Sequence, residues 1–222
     1  KEDPRIDGSD LPPAIIHLKD TCGSFAFDYQ SIYSPAGLNP DNTGVIGLDD
    51  FDSSWGIWGH NLRKVLGANT EKVYATINGK ANDSQLCFSS GEMFRLIESY
   101  ITDNFGEKGK FRFVIAPDDT PYACTCPSCT AIGNTEKNAT PAVTELILRL
   151  SQRFPRHFFF TTSYLTTQQV TDKQLPPNAG VIVSAINFPL RRIDGKDAKE
   201  KAFAGQLEQW KNVTKNIYIW DY

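Results

Sequence analysis

From Gln85 to its last residue, this 222-residue chain alternates short β-branched or aromatic runs with stretches of helical period. The runs are Gln85–Ser89, Phe111–Ala116, Phe158–Leu165, Val181–Ile186 and Asn216–Trp220. Between them, Met93, Leu96, Ile97 and Ile101 recur at helical spacing behind Ser89-Ser90-Gly91-Glu92. Val143, Leu146, Ile147 and Leu150 do the same behind Thr140-Pro141. A serine cap with an acid in the first turn, and a cap residue followed by proline, both start helices. A third helix is expected over Ala198–Trp210, with Ala202, Leu207 and Trp210 inward. Strands separated by helices pair in parallel, and their lack of polar alternation implies that both faces of the sheet are covered.

Upstream the pattern is looser. Residues 1–22 read as a polar, proline-containing lead-in, followed by an aromatic alternating strand, Ser24–Tyr29. Residues 31–52 are rich in turn formers and read as one long loop. LRKVLG forms a short helix closed by Gly67, and Lys72–Ile77 is a strand ending at an Asn78-Gly79 turn. The strands then number about seven. No glycine-rich phosphate loop is present, which disfavours a doubly wound nucleotide-binding sheet. The expected fold is therefore an α/β, (β/α)8 TIM-barrel-like domain over residues 23–222. Such barrels typically take about 250 residues and eight strands. The chain, stopping at a strand tip, is expected to be an incomplete barrel cut from a longer protein.

Charge and composition narrow the function. A net charge of -3 and a pI near 5.6 lack the basic face of a nucleic-acid binder. No apolar run approaches the ~20 residues that span a bilayer. Aromatic residues, at 12%, suit either a core or a sugar-stacking cleft.

Barrel enzymes carry their active sites at the carboxyl ends of the strands. Here the run Phe111–Ala116 stops at Pro117 and delivers two consecutive acids, Asp118 and Asp119, into a loop. Neighbouring carboxylates push one pKa up and can supply an acid and a base. The competing reading is that one aspartate caps a turn and the other is solvated. The other strand tips offer Tyr29, His60, Asn61, Tyr164, Asn187 and Asp221 as substrate-binding residues, a set suited to a polyhydroxylated ligand. His60 also fits a structural role at a helix start. No Gly-x-Ser-x-Gly elbow is present, so esterase chemistry gains no support. Cys124, Cys126 and Cys129 look like half of a zinc knuckle, but a fourth ligand would have to come from elsewhere. Plain thiols or a loop disulfide are the favoured reading, and neither metal nor cofactor is expected.

WGIWGHNL, YATINGK followed by QLCFSS, PDD with CTCPSC, and IYIWDY together resemble a bacterial family known as domain of unknown function 4838, over roughly Phe25 to Tyr222. The resemblance implies a glycosidase-type barrel related to β-hexosaminidase, O-GlcNAcase and α-glucuronidase barrels. It implies a glycan or oligosaccharide substrate, and a periplasmic, cell-surface or secreted location. By analogy with hexosaminidase-like barrels, Asp118 would orient the substrate's acetamido group and Asp119 would protonate the leaving oxygen. The arginine usual at the first strand tip of such barrels is absent, with Gln30 following Tyr29 instead. An α-glucuronidase-like hydrolase, with Arg191-Arg192 holding a uronate, and a glycan-binding barrel without catalysis are the alternatives.

Overall fold

The structure, a computed structural model, describes residues 27–32, 34–35, 37–189 and 195–221. The chain divides into two compact units, Lys1–Asp49 and Asp50–Tyr222. Among the described residues no helix is long and apolar enough to cross a membrane.

In the first unit, the expected strand Ser24–Tyr29 is not borne out where it is described. Phe27–Tyr29 is irregular chain, and no strand pairs with it among the described residues. Its earlier residues, and the lead-in to residue 22, lie outside the described residues. The expected loop over 31–52 holds a helix, α1, Pro40–Ile46. Its turn formers are cap residues. The Asn39 side chain accepts a hydrogen bond from the Asp41 N–H at 3.0 Å, Pro40 presets the first turn, and Gly47 ends it at φ 69°.

The second unit is built on a parallel sheet. A short helix, α2 (Phe51–Ser54), leads straight into β1 (Trp55–Ile57), and α3 (Leu62–Leu66) follows. Next come β2 (Tyr74–Ile77), β3 (Lys80–Leu86), α4 (Gly91–Phe105), β4 (Arg112–Val114) and α5 (Pro127–Ala131). The remainder is α6 (Thr140–Arg153), β5 (Phe158–Ser163), β6 (Ala179–Ser184), α7 (Ala198–Lys211) and β7 (Asn216–Trp220). Five strands pair in parallel in the order β1-β4-β5-β6-β7. Among the described residues this sheet does not close into a barrel.

Two runs expected in the parallel sheet lie outside it. β2 and β3 pair antiparallel as a hairpin. Asn78 and Gly79 sit at φ 51° and 73°, the double left-handed geometry of a two-residue hairpin turn. A two-residue turn can only reverse the chain, so these strands cannot be parallel neighbours. The sheet gains β1 instead, which three residues of Trp-Gly-Ile are too short to announce.

The two faces of the sheet differ. Phe113, Ile115 and Phe159 pack with Met93, Ile97 and Ile101 of α4 and with Val143, Leu146 and Leu150 of α6 in one apolar core. Ser90 caps α4, accepting from the Glu92 and Met93 N–H groups. Gly56 lies against this core, where a Cβ would come within 2.3 Å of the Phe113 ring. On the opposite face Phe160 stacks on Tyr218 at 4.9 Å between centroids, and Trp55 meets both rings at 5.6 and 6.0 Å. Arg112 donates to the Tyr218 hydroxyl at 3.1 Å. α7 is held mainly by Trp210, which is fully buried and donates to the Ser163 hydroxyl at 2.9 Å. Ala202, expected inward, is exposed, and Glu200 is buried instead, accepting from the Gly195 N–H at 2.6 Å.

Candidate functional site

The carboxyl ends of β1, β4, β5 and β7 bring several of the expected residues together. The last ladder bond of the β4 segment runs from the Ile115 N–H to the Phe160 carbonyl at 2.7 Å. Pro117 has no N–H to continue it, and the chain turns off into Asp118 and Asp119. Asp118 is partly buried, whereas Asp119 is exposed.

Asp118 is fixed from two sides. Arg63, on α3, donates to its Oδ2 from both Nε and a terminal nitrogen, each at 2.6 Å. Gln85, at the end of β3 and 1% exposed, holds the backbone. Its Oε1 accepts from the Asp118 and Leu86 N–H groups, each at 3.0 Å. Its Nε2 faces the Asp118 carbonyl, the Thr120 hydroxyl and the Tyr122 carbonyl at 3.1–3.2 Å. Asp119 makes no hydrogen bond or ion pair with the described residues, so its carboxylate is available to a ligand. Neither Arg63 nor Gln85 was expected at the site. Arg63 comes from α3 and Gln85 from β3, 55 and 33 positions before Asp118, and only the tertiary fold brings them to the tip of β4.

His60 lies beside the same tip. Its Nδ1 is 2.5 Å from the Pro117 carbonyl. A carbonyl only accepts, so Nδ1 carries the hydrogen and Nε2 is the acceptor of the neutral ring. The imidazole faces the Tyr164 ring at 6.2 Å and the Trp220 ring at 6.4 Å. Trp220 in turn faces Trp58 at 6.1 Å. Trp58, His60, Tyr164 and Trp220 are all half-buried. Leu165, just after Tyr164, sits at φ 44°, an uncommon conformation for a side chain of its kind and one that marks many binding sites.

The remaining expected residues are placed less closely. Asp221 is exposed one residue past β7, and Asn187 is exposed in the turn after β6. Asn61 lines a shallow depression with Gly56, Lys64, Val65 and Tyr100 at the start of α3. Tyr29 belongs to the first unit. Arg191 and Arg192 lie outside the described residues.

The cysteines form a second cluster, and it includes one that spacing did not single out. The sulfurs of Cys87, Cys124, Cys126 and Cys129 all lie within 4.8 Å of one another. None of the four is in a disulfide. Hydrogen bonds from Cys129 and then Cys87 hold the Cys124 thiol below the ordinary range, against the pull of burial. Hydrogen bonds with Cys124 and then Cys87, together with burial, push Cys129 up.

Residues 60–222 match the family described as domain of unknown function (DUF4838). The chain belongs to this family. The matched DUF4838 segment contains His60, Arg63, Gln85, both aspartates and all four clustered cysteines, while Trp58 falls just before it. No curated protein and no solved structure matches the chain.

Proposed function

We propose that this DUF4838 chain is part of a (β/α)8 glycoside hydrolase barrel that cleaves a glycosidic bond by acid/base catalysis, with N-acetylated glycans as its substrate class. The sheet order supports the barrel. Apart from the hairpin, its strands follow one another in chain order, with no reversal of the kind that creates the crevice of doubly wound sheets. One face is covered by helices and the other is filled by large side chains, as a barrel wall requires.

The observation that carries the reading is the meeting of an acidic pair with a ring-lined edge. Asp118 and Asp119 leave β4 beside His60, which sits among Tyr164, Trp220 and, through Trp220, Trp58. Flat rings bind the apolar faces of sugars, and carboxylates act on the bond between them. Asp119, unpaired, is the general acid: it protonates the leaving oxygen while the acetamido oxygen of the substrate attacks the anomeric carbon. A water then opens the cyclic intermediate and gives its proton back to Asp119. Asp118, its Oδ2 committed to Arg63, turns Oδ1 to the acetamido N–H. Nε2 of His60, Asn187 and Asp221 take sugar hydroxyls. The location proposed with this chemistry is outside the cytoplasm.

The test is turnover of aryl N-acetylglucosaminides by the full-length protein and its Asp119→Asn variant. Loss of turnover in the variant with binding retained is the expected result. Undiminished turnover overturns the assignment of Asp119, and glycan binding with no hydrolysis in the parent overturns the catalytic reading. Cleavage of uronic acid glycosides in place of hexosaminides would replace the substrate class.

A further inference from the structure

The four-cysteine cluster shares no residue with the proposed sugar site and takes no part in its chemistry. The geometry points to a structural zinc centre, with Cys87, Cys124, Cys126 and Cys129 as its four ligands.

Three observations carry this. The first is size. A tetrahedral ion with metal–sulfur bonds of about 2.3 Å sets its sulfurs about 3.8 Å apart. Cys87 Sγ is 3.7 Å from Cys126 Sγ and 3.8 Å from Cys129 Sγ. That spacing fits one ion; an iron–sulfur cube needs its ligands spread wider around a larger core.

The second is the surroundings. Four thiolates around one divalent cation carry net negative charge and need donors. The Thr76 N–H points at Cys124 Sγ from 3.2 Å, and the Cys129 N–H at Cys126 Sγ from 3.4 Å. The Ser89 hydroxyl is 3.0 Å from Cys129 Sγ and 3.5 Å from Cys87 Sγ. Such donors to sulfur form the outer shell that tunes a thiolate centre. Cys124 and Cys129 are 2% and 0% exposed, so the ion would be shielded from water and structural rather than catalytic.

The third is connectivity. Cys87 follows β3, whereas the other three follow β4, so the ion would join two segments far apart in sequence. The Thr125 N–H to Thr76 carbonyl bond at 2.8 Å already ties that loop to the hairpin. Four clustered thiols, two of them buried and two half-buried, gain little from packing alone; bound to one ion, each sulfur gives its proton to solvent and the group becomes a cross-link.

The experiment is elemental analysis of the full-length protein purified without added metal, paired with cobalt exchange. The expected result is one zinc per chain, released when a mercurial titrates the thiols. Cobalt exchange should give the visible bands of tetrahedral thiolate coordination. Cys87→Ser should lose the metal or bind it at least tenfold more weakly, and Cys22→Ser, at the fifth cysteine of the sequence, should keep it. If Cys87→Ser fails to fold, the cobalt spectrum of the parent decides. Cobalt bands of octahedral oxygen ligation, disulfides among these four cysteines by mass, stoichiometric iron, or metal lost in Cys22→Ser would each overturn the proposal.

Discussion

Arg63 grips a single oxygen of Asp118 with two of its nitrogens, each 2.6 Å away. The two residues stand 55 positions apart, and the contact joins α3 to the loop leaving β4. It engages Oδ2 and leaves the second carboxylate oxygen of Asp118 with no partner among the described residues.

Arg63→Ala should therefore act on both stability and catalysis. Losing a charge-assisted pair of this kind costs on the order of 1.5–3 kcal/mol. Urea unfolding should show that loss as a lower midpoint at an unchanged slope. Turnover of the proposed substrate should fall further than the folded fraction does, because Asp118 loses its orientation. Arg63→Lys should recover the stability only in part, since an ammonium lacks the planar fork. Equal turnover in parent and Arg63→Ala would detach this pair from the site.

Gln85→Leu keeps roughly the volume and removes the polar end. It strands the N–H groups of Asp118 and Leu86 and the carbonyls of Asp118 and Tyr122, in a place 1% exposed. Each buried orphan costs about 1–3 kcal/mol. The variant should unfold at clearly lower denaturant, and hydrogen exchange of the Asp118 amide should rise well above that of β5. Protection left unchanged there would mean that Gln85 does not hold the loop.

The ring surfaces make a separate prediction. Trp58→Ala or Trp220→Ala should weaken binding of an N-acetylated oligosaccharide about tenfold, which is about 1.4 kcal/mol. Calorimetric titration measures it directly. In the parent protein, tryptophan fluorescence should change on saturation, and that change should shrink in each variant.

Gly180 tests the sheet itself. It pairs with Asn216 on one side and Phe160 on the other. A Cβ there would come within 2.2 Å of the Asn216 carbonyl and 2.8 Å of the Phe160 ring. Neither backbone nor packed ring gives way freely, so Gly180→Ala should destabilise by about 1–3 kcal/mol, the usual cost of overpacking. Thermal unfolding measures it, and a stability equal to the parent would mean that β5, β6 and β7 are not in this register.

Regular elements with strong local patterns were legible in the chain. The faces of α4 and α6, the Ser90 cap and the run of β4 into two acids depend on neighbours a few residues apart. What stayed hidden depends on pairing at a distance. β1 is three residues long and is a strand only because β4 lies beside it. Lys72–Ile77 and Gln85–Ser89 have the composition of sheet strands, yet a two-residue turn commits the hairpin they belong to. At the site, Asp118, Asp119, His60 and Tyr164 could be found at the ends of apolar runs. Arg63 and Gln85 gave no such signal, being a helix arginine and a strand glutamine until the fold closes. Cys87 was hidden for the same reason, 37 residues before the nearest member of the cysteine triplet. Trp58 and Trp220 carried no signal that separates a sugar-facing ring from a core ring.

In the proposed complex a sugar lies against the carboxyl edge of this sheet with its glycosidic oxygen at Asp119. The most direct measurement is a crystal structure of the full-length Asp119→Asn protein soaked with an uncleaved N-acetylated oligosaccharide. Expected are a ring against Trp58 and Trp220, the acetamido nitrogen on Asp118, and the bridging oxygen within hydrogen-bonding distance of the residue at 119. A sugar bound away from the tip of β4, touching neither position 118 nor 119, would contradict it.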